Sequence, residues 1–210
     1  MFSFFGKKTP QILTKTEDSV WISTNARFTG LLQEAQIQSK LKNTWVIYFF
    51  ERTQHQLKEV FKLAQEPYIF VESKEQAQKN KQILVFSADK FQEIYETLKI
   101  IFAKEDIFII FAEHYPLNVV EENIAIKTAE ITLKAKISAH TDFESMLLKK
   151  FGGARLLELL KKIGIKESES ISHPLVSKSI KEAKKKLSEK VKNEQKGVSE
   201  EDWFLKNNIE

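Results

Sequence analysis

The chain has 210 residues, 42% of them hydrophobic and sixteen of them Phe, with a formal charge of +4, a sequence pI of about 9.0 and no cysteine. That apolar content suffices for one large domain, or one domain with a small helical appendage, and it excludes wholesale disorder. Lack of cysteine excludes thiol catalysis, cysteine-ligated zinc and disulfides, and makes a cytoplasmic location the natural expectation.

The opening Met1-Phe-Ser-Phe-Phe-Gly-Lys-Lys carries an apolar run too short for a signal-peptide core, and its lysines follow that run. Residues 1–11 therefore read as an arm. Phe2, Phe4 and Phe5 beside Lys7 and Lys8 either touch a membrane or partner surface, or pack locally or stay mobile, the latter being favoured. No apolar run approaches the ~20 residues of a membrane span.

Residues 12–140 read as an α/β domain. Phe28, Leu31, Leu32 and Ala35 define an amphipathic helix ahead of the sheet. Runs at 45–50, 68–71, 82–87 and 107–111 are short and nearly all apolar, as strands covered on both faces are. A fifth run, 130–137, alternates Ile131, Leu133, Ala135 and Ile137 with polar residues, which places it at a sheet edge. Between the strands, Leu57, Val60, Phe61 and Ala64 predict one helix, with Thr53 as N-cap. Phe91, Ile94, Tyr95, Leu98 and Ile101 predict another, with Asp89 as N-cap. Alternation of strand and helix implies right-handed crossovers and a three-layer, mainly parallel, five-stranded sheet.

Residues 141–192 read as a helical extension packed on that domain. Helices over 143–151 and 154–163 flank Gly152-Gly153, Gly164 ends the second, and 166–172 is a polar loop. Pro174 then sits in the first turn of a long helix whose apolar residues are Leu175, Val176, Ile180, Ala183, Leu187 and Val191. Residues 193–210 read as a flexible acidic and aromatic tail, and no internal repeat is present.

Between Gly30 and Gly152 the chain has no glycine, although this stretch is patterned like a nucleotide-binding domain. A backbone that wraps phosphate needs positive φ and amides that reach the ligand without a Cβ in the way. Only three arginines occur, Arg27, Arg52 and Arg155, which further disfavours phosphate recognition.

Three C-terminal runs carry a resemblance. They are Phe143-Glu-Ser-Met-Leu-Leu-Lys-Lys-Phe-Gly, Leu156-Leu-Glu-Leu-Leu-Lys-Lys-Ile-Gly-Ile, and Ile171-Ser-His-Pro-Leu-Val-Ser-Lys-Ser-Ile-Lys-Glu-Ala-Lys-Lys-Lys-Leu. Together they resemble the segment that follows the second motor domain of the SecA preprotein translocase motors. Upstream, Ile109-Ile-Phe-Ala-Glu-His, the strand at 45–50 and Thr14-Lys-Thr-Glu are similar to that family's "Ile-Ile-Gly-Thr-Glu-Arg-His", "Val-Leu-Val-Gly-Thr" and "Tyr-Lys-Thr" segments. The resemblance covers residues 12–192 in order and is most specific from 143 onward. It implies a RecA-like, helicase C-terminal-like fold.

Where the family carries "Ala-Gly-Arg-Gly-Thr-Asp-Ile" and "Gln-Leu-Arg-Gly-Arg-x-Gly-Arg-Gln-Gly-Asp", this chain has Ser87-Ala-Asp-Lys-Phe-Gln-Glu-Ile and Glu121-Glu-Asn-Ile-Ala-Ile-Lys-Thr-Ala. Neither stretch keeps an arginine or a glycine. Asp89 and Lys127 cannot supply the guanidinium fork that stabilises phosphoryl transfer. The resemblance thus implies a degenerate motor domain that neither binds nor hydrolyses ATP and uses no cofactor.

Candidate sites have competing readings. Glu113-His114, with Asp89, is either a strand-end ligand cleft or a capping pair before the Pro116 turn, the latter favoured. His140 and Asp142 are two metal ligands without a third, and Asp142 reads better as a helix N-cap. His173 starts the long helix, and Ser87 lacks the setting of a catalytic serine. Lys184, Lys185 and Lys186, with Lys178, Lys181, Lys190 and Lys192, form either a basic face for a partner or the solvated side of a docked helix. Trp203, Phe204 and Leu205 either fold back on the chain or bind a partner groove.

The expected function is a non-catalytic scaffold working through an unidentified protein partner, linked to export by the resemblance. The alternative is a nucleic-acid-binding module using the Lys-rich helix. An unrelated enzyme activity stays open because fold does not fix function.

Overall fold

The computed structural model describes residues 13, 15–80, 82–151, 153, 157–158, 162 and 164–209. The aromatic arm at 1–11 and most of the helix expected over 154–163 lie outside the described residues. Six strands occur: β1 (Ser19–Trp21), β2 (Asn43–Tyr48), β3 (Tyr68–Phe70), β4 (Ile83–Ser87), β5 (Ile107–Phe111) and β6 (Lys136–Asp142). They form one all-parallel sheet in the order β1-β6-β5-β2-β4-β3.

Helices α1 (Thr24–Ser39), α2 (Glu51–Phe61), α3 (Ala88–Glu93), α4 (Tyr95–Ile101), α5 (Asn118–Ile131) and α6 (Met146–Lys150) cross between or follow the strands. The Lys-rich helix Pro174–Lys190 and a C-terminal helix Glu200–Lys206 complete the chain. This is the three-layer, parallel α/β architecture with a helical extension that the sequence predicts, with six strands rather than five.

Strand periodicity assigns the two faces. Trp45, Ile47, Leu84, Phe86, Ile107, Ile109 and Phe111 point to one layer, where Phe91 of α3, Leu98 of α4 and Ile124 of α5 pack on them. The alternate residues Val46, Tyr48, Ile83, Val85, Phe108 and Ile110 meet Leu31 and Leu32 of α1 and Leu57 and Phe61 of α2. Burial on both faces is why these strands read as unbroken apolar runs. α1 lies close on β1. A Cβ on Gly30 would stand 2.0 Å from the Trp21 ring, so only glycine lets helix and indole meet.

Several boundaries differ from the sequence reading. Glu130 and Ile131 end α5, and the strand runs over Lys136–Asp142 instead of 130–137. β6 is interior, between β5 and β1, and the edges are β1 and β3. β1 was too short to carry a period-2 signal, and its outer edge is covered by a bridge from Val20 to Ile171. The helix expected across 91–101 is two helices meeting at Ile94, whose φ of −98° and ψ of 11° leave the helical region. Its N-cap is Ser87, accepting from the Lys90 amide at 3.0 Å, not Asp89. α2 starts after Phe50, so Thr53 lies inside its first turn and is not the cap.

A third core joins the extension to the sheet. Val20, Phe50, Tyr115 and Leu117, all near the carboxyl ends of strands, pack with Leu147 and Leu148 of α6, Ile180, Ala183 and Leu187 of the Lys-rich helix, and Trp203 and Phe204. Trp203 is 0% and Phe204 1% exposed, so the terminal segment is a docked helix and not a flexible tail. Gly197 fits beneath it, because a Cβ there would meet the Trp203 backbone nitrogen at 2.4 Å.

Candidate functional site

Adjacent parallel strands whose following helices lie on opposite faces leave a crevice at their carboxyl ends, where α/β proteins hold ligands. Here β2 runs into α2 on one face and β4 into α3 on the other. Between them opens a crevice of about 560 Å³ with Tyr48, Phe49, Phe50, Val71, Tyr115 and Val120 among its lining residues. Phe50 stacks on Tyr115 with ring centroids 5.5 Å apart, and Phe49 leans on the same ring at 5.6 Å.

The charged groups on this crevice have the wrong sign for phosphate. Carboxylates of Glu51, Glu72, Asp89 and Glu194 outnumber the ammonium groups of Lys90 and Lys196. Both lysines are already engaged, Lys90 with Glu93 at 2.6 Å and Lys196 with Asp89 at 3.1 Å. Burial, aided by Glu72 and opposed by a hydrogen bond with Ser87, pushes the Tyr48 phenol up to about 12, so it stays a neutral hydroxyl.

The Phe49 and Phe50 amides that lead into α2 are also occupied. Glu113 at the end of β5 accepts the Phe49 amide at 2.8 Å, the Phe50 amide at 3.2 Å and the Thr53 hydroxyl. Its carboxyl thus holds the turn that leads from β2 into α2, through the two amides just before the helix and a hydroxyl in its first turn. Burial pushes the Glu113 carboxyl up, against the pull of Arg27 and these donors. Among the described residues positive φ occurs only at Lys104, Gly164 and Asn208, and none of these lines the crevice. No left-handed backbone nest faces it.

Behind Glu113 lies a smaller polar space of about 60 Å³ between α1, α2 and the C-terminal helix. Arg27 pairs there with Asp142 at 3.1 Å, and Glu200 accepts the Met146 and Leu147 amides at 2.8 and 3.0 Å. Glu200 thereby caps α6 from another helix, together with the Ser145 hydroxyl. Asp142 is therefore not the helix cap. It ends β6, accepts the Glu144 amide at 2.8 Å and holds Arg27. His140 is bound to Glu34 at 2.7 Å and accepts the Trp21 indole N–H at 3.0 Å. Both proposed metal ligands thus have protein partners. Among the described residues no three His, Asp or Glu side chains cluster as a metal site.

His114 faces away from the crevice, into a buried charge row. Its Nε2 lies 3.3 Å from Asp18 and its Nδ1 3.1 Å from Glu121, while Lys15 reaches Asp18 at 2.9 Å and Lys184 reaches Glu121 at 2.6 Å. Burial alone would raise both carboxyls. His114 and Lys15 nonetheless hold Asp18, and Lys184 with His114 holds Glu121, well below the ordinary carboxylate range. Lys184 is 2% exposed and so leaves the supposed basic face, whereas Lys185 and Lys186 remain exposed.

The structure therefore separates residues that the sequence grouped. Asp89 lies on the crevice, Glu113 beneath it, and His114 in the charge row. Trp203 and Phe204 are core residues and Leu205 is 77% exposed. Sequence reasoning missed Asp18, Glu34, Glu194 and Glu200. Their roles rest on contacts that no local pattern carries: Asp18 with His114, Glu34 with His140, Glu194 with Tyr115 and Trp203, and Glu200 with the Met146 and Leu147 amides.

No family model matches the chain, and no curated protein matches it. Among solved structures it is similar to the C-terminal part of the Fun30 ATPase domain, with a TM-score of 0.40 and 9% identity over 79% of this chain and 54% of that one. It is also similar to a chain in the structure of fission yeast Ccq1 and Tpz1, with a TM-score of 0.36 and 11% identity over 86% of this chain and 65% of that one. The chain spans less than two thirds of either. Among the described residues no helix is long and apolar enough to cross a membrane.

Proposed function

We propose that this chain is a catalytically silent RecA-like domain that acts as a protein-interaction or scaffold module. One observation carries the reading: the amides of Phe49 and Phe50, which lead into α2, are held by the chain's own Glu113, beside a crevice richer in carboxylates than in cations. A triphosphate there would face the carboxylates of Glu51, Glu72, Asp89 and Glu194. The resemblance of residues 143–192 to the segment after the second SecA motor domain extends the proposal to a role connected with protein export.

Isothermal titration of the full chain with ATP and ADP in the presence of Mg²⁺ tests it. The expected result is no binding heat and no phosphate release. Micromolar binding of either nucleotide, or turnover, overturns the reading.

A second reading, nucleic-acid binding, has one observation in its favour. Lys178, Lys181, Lys185 and Lys186 are exposed along one long helix, and none has an ion-pair partner among the described residues. Gel shifts across a salt series decide it. A steep fall in affinity with salt supports nucleic-acid binding, and no shift at low salt removes it.

A further inference from the structure

We infer that the crevice between β2 and β4 is a recognition site for a cationic side chain, a lysine or arginine carried on an extended segment of a partner protein. This rests on the reading of the chain as an interaction module and names the chemistry of its partner. Size is suitable, since about 560 Å³ lies within the ~300–1,000 Å³ of ordinary ligand pockets. The lining supplies both elements that recognise a desolvated cation. Phe49 presents a half-buried aromatic ring, backed by the buried Phe50 and Tyr115, and Glu51, Glu72, Asp89 and Glu194 present carboxylates.

One of those carboxylates is fixed in place by the core. Glu194 Oε1 accepts the indole N–H of Trp203 at 2.6 Å and the hydroxyl of Tyr115. Trp203 is fully buried and Tyr115 is 6% exposed, so their donors hold the acid still at the crevice wall. A pre-oriented acid binds a cation without the usual loss of side-chain freedom.

The chain itself already places a cation there. The segment 194–198 crosses the crevice, with Glu194, Lys196, Gly197 and Val198 all lining it. Val198 is tied down by its carbonyl, which accepts the Arg52 amide at 3.0 Å. From this segment Lys196 Nζ reaches both oxygens of Asp89, at 3.1 and 3.2 Å. This ion pair is mostly exposed, 73% at the lysine and 81% at the aspartate, so it contributes little and yields readily to a competitor. Lys196 thus stands in for the partner's ammonium group and competes with it.

The test is an amide chemical-shift titration of the full chain with acetylated tetralysine amide, and with tetraglutamate as the opposite charge. Tetralysine is expected to shift the Tyr48, Phe49, Ser87, Asp89 and Tyr115 amides saturably, and tetraglutamate is not. The exposed pair Glu72→Gln with Asp89→Asn is expected to weaken binding by about tenfold. Lys196→Ala removes the internal competitor and is expected to tighten it by about threefold, while Lys192→Ala, the same charge change off the crevice, leaves it unchanged. No saturable shift at the crevice, or equal effects of Lys196→Ala and Lys192→Ala, overturns the inference. If ATP also fails to bind, only the cation site is lost. If ATP binds, the interaction-module reading falls with it.

Discussion

Lys184 Nζ lies 2.6 Å from Glu121 Oε1 with both side chains buried, and this contact fastens the Lys-rich helix to α5. His114 and Asp18 continue the row of paired polar groups to the segment before β1, where Lys15 closes it. Four separate parts of the chain are stitched by groups that cannot be removed singly. Replacing a buried charge leaves its partner uncompensated, which typically costs more than the pair contributes.

Lys184→Met is therefore expected to destabilise the fold by about 3 kcal/mol, while the double variant with Glu121→Leu recovers part of that loss. Urea denaturation of both variants and the parent supplies the comparison. A single-variant loss below about 1 kcal/mol would mean that Lys184 is solvated and the helix loosely docked.

Acid and base limbs of stability have separate owners. Asp18 and Glu121 titrate below their unfolded values, so their contribution is full above the ordinary carboxylate range and is lost as pH falls through the folded values. Glu200 is the opposite case. Burial lifts it from 4.5 to about 7, against the Leu147 and Met146 amides, so stability is lost as pH rises from 4.5 toward 7. Glu200→Gln is expected to flatten that limb by about 1 kcal/mol, after allowance for the partial exposure of the residue. Thermal melts at intervals across this range check it, and parallel curves for parent and variant would refute the assignment.

Burial divides the C-terminal aromatics. Trp203→Ala empties a fully buried site and is expected to cost about 3–5 kcal/mol, enough to undock the terminal helix. Leu205→Ala, at a residue 77% exposed, is expected to stay within about 0.5 kcal/mol. Denaturation midpoints separate the two. Equal, small effects would show that the helix is not part of the core.

Glu113 is the tie between β5 and α2. Glu113→Ala orphans the Phe49 and Phe50 amides and is expected to cost about 2 kcal/mol, whereas Glu113→Gln keeps an acceptor and costs less. Hydrogen exchange at those two amides gives the readout. Unchanged protection in the alanine variant would contradict the capping role.

Much of this fold was legible because its strands are apolar on both faces and its helices keep their period. Trp45, Ile47, Phe91 and Leu98 announce their burial by spacing alone. The end of the sheet was not legible. Ile131, Leu133, Ala135 and Ile137 alternate like a strand, yet α5 claims the first of them, because helix packing on the sheet outweighs a local β pattern. β1 is three residues long and gains its place from pairing with β6, which no local window reveals. The site was half legible. The missing glycines were visible in the sequence, but the internal carboxyl beside the crevice joins Glu113 to amides 63 and 64 positions earlier. Likewise, Trp203 in a polar tail advertised a docking event without saying that the dock was the chain's own third core.

The most direct measurement is the amide spectrum of the full chain titrated with Mg-ATP to about 1 mM, well past any micromolar dissociation constant. With Glu113 seated on α2 and carboxylates around the crevice, the Tyr48, Phe49, Phe50, Ser87 and Asp89 amides should not move. Saturable shifts of those amides with a micromolar midpoint would contradict the account.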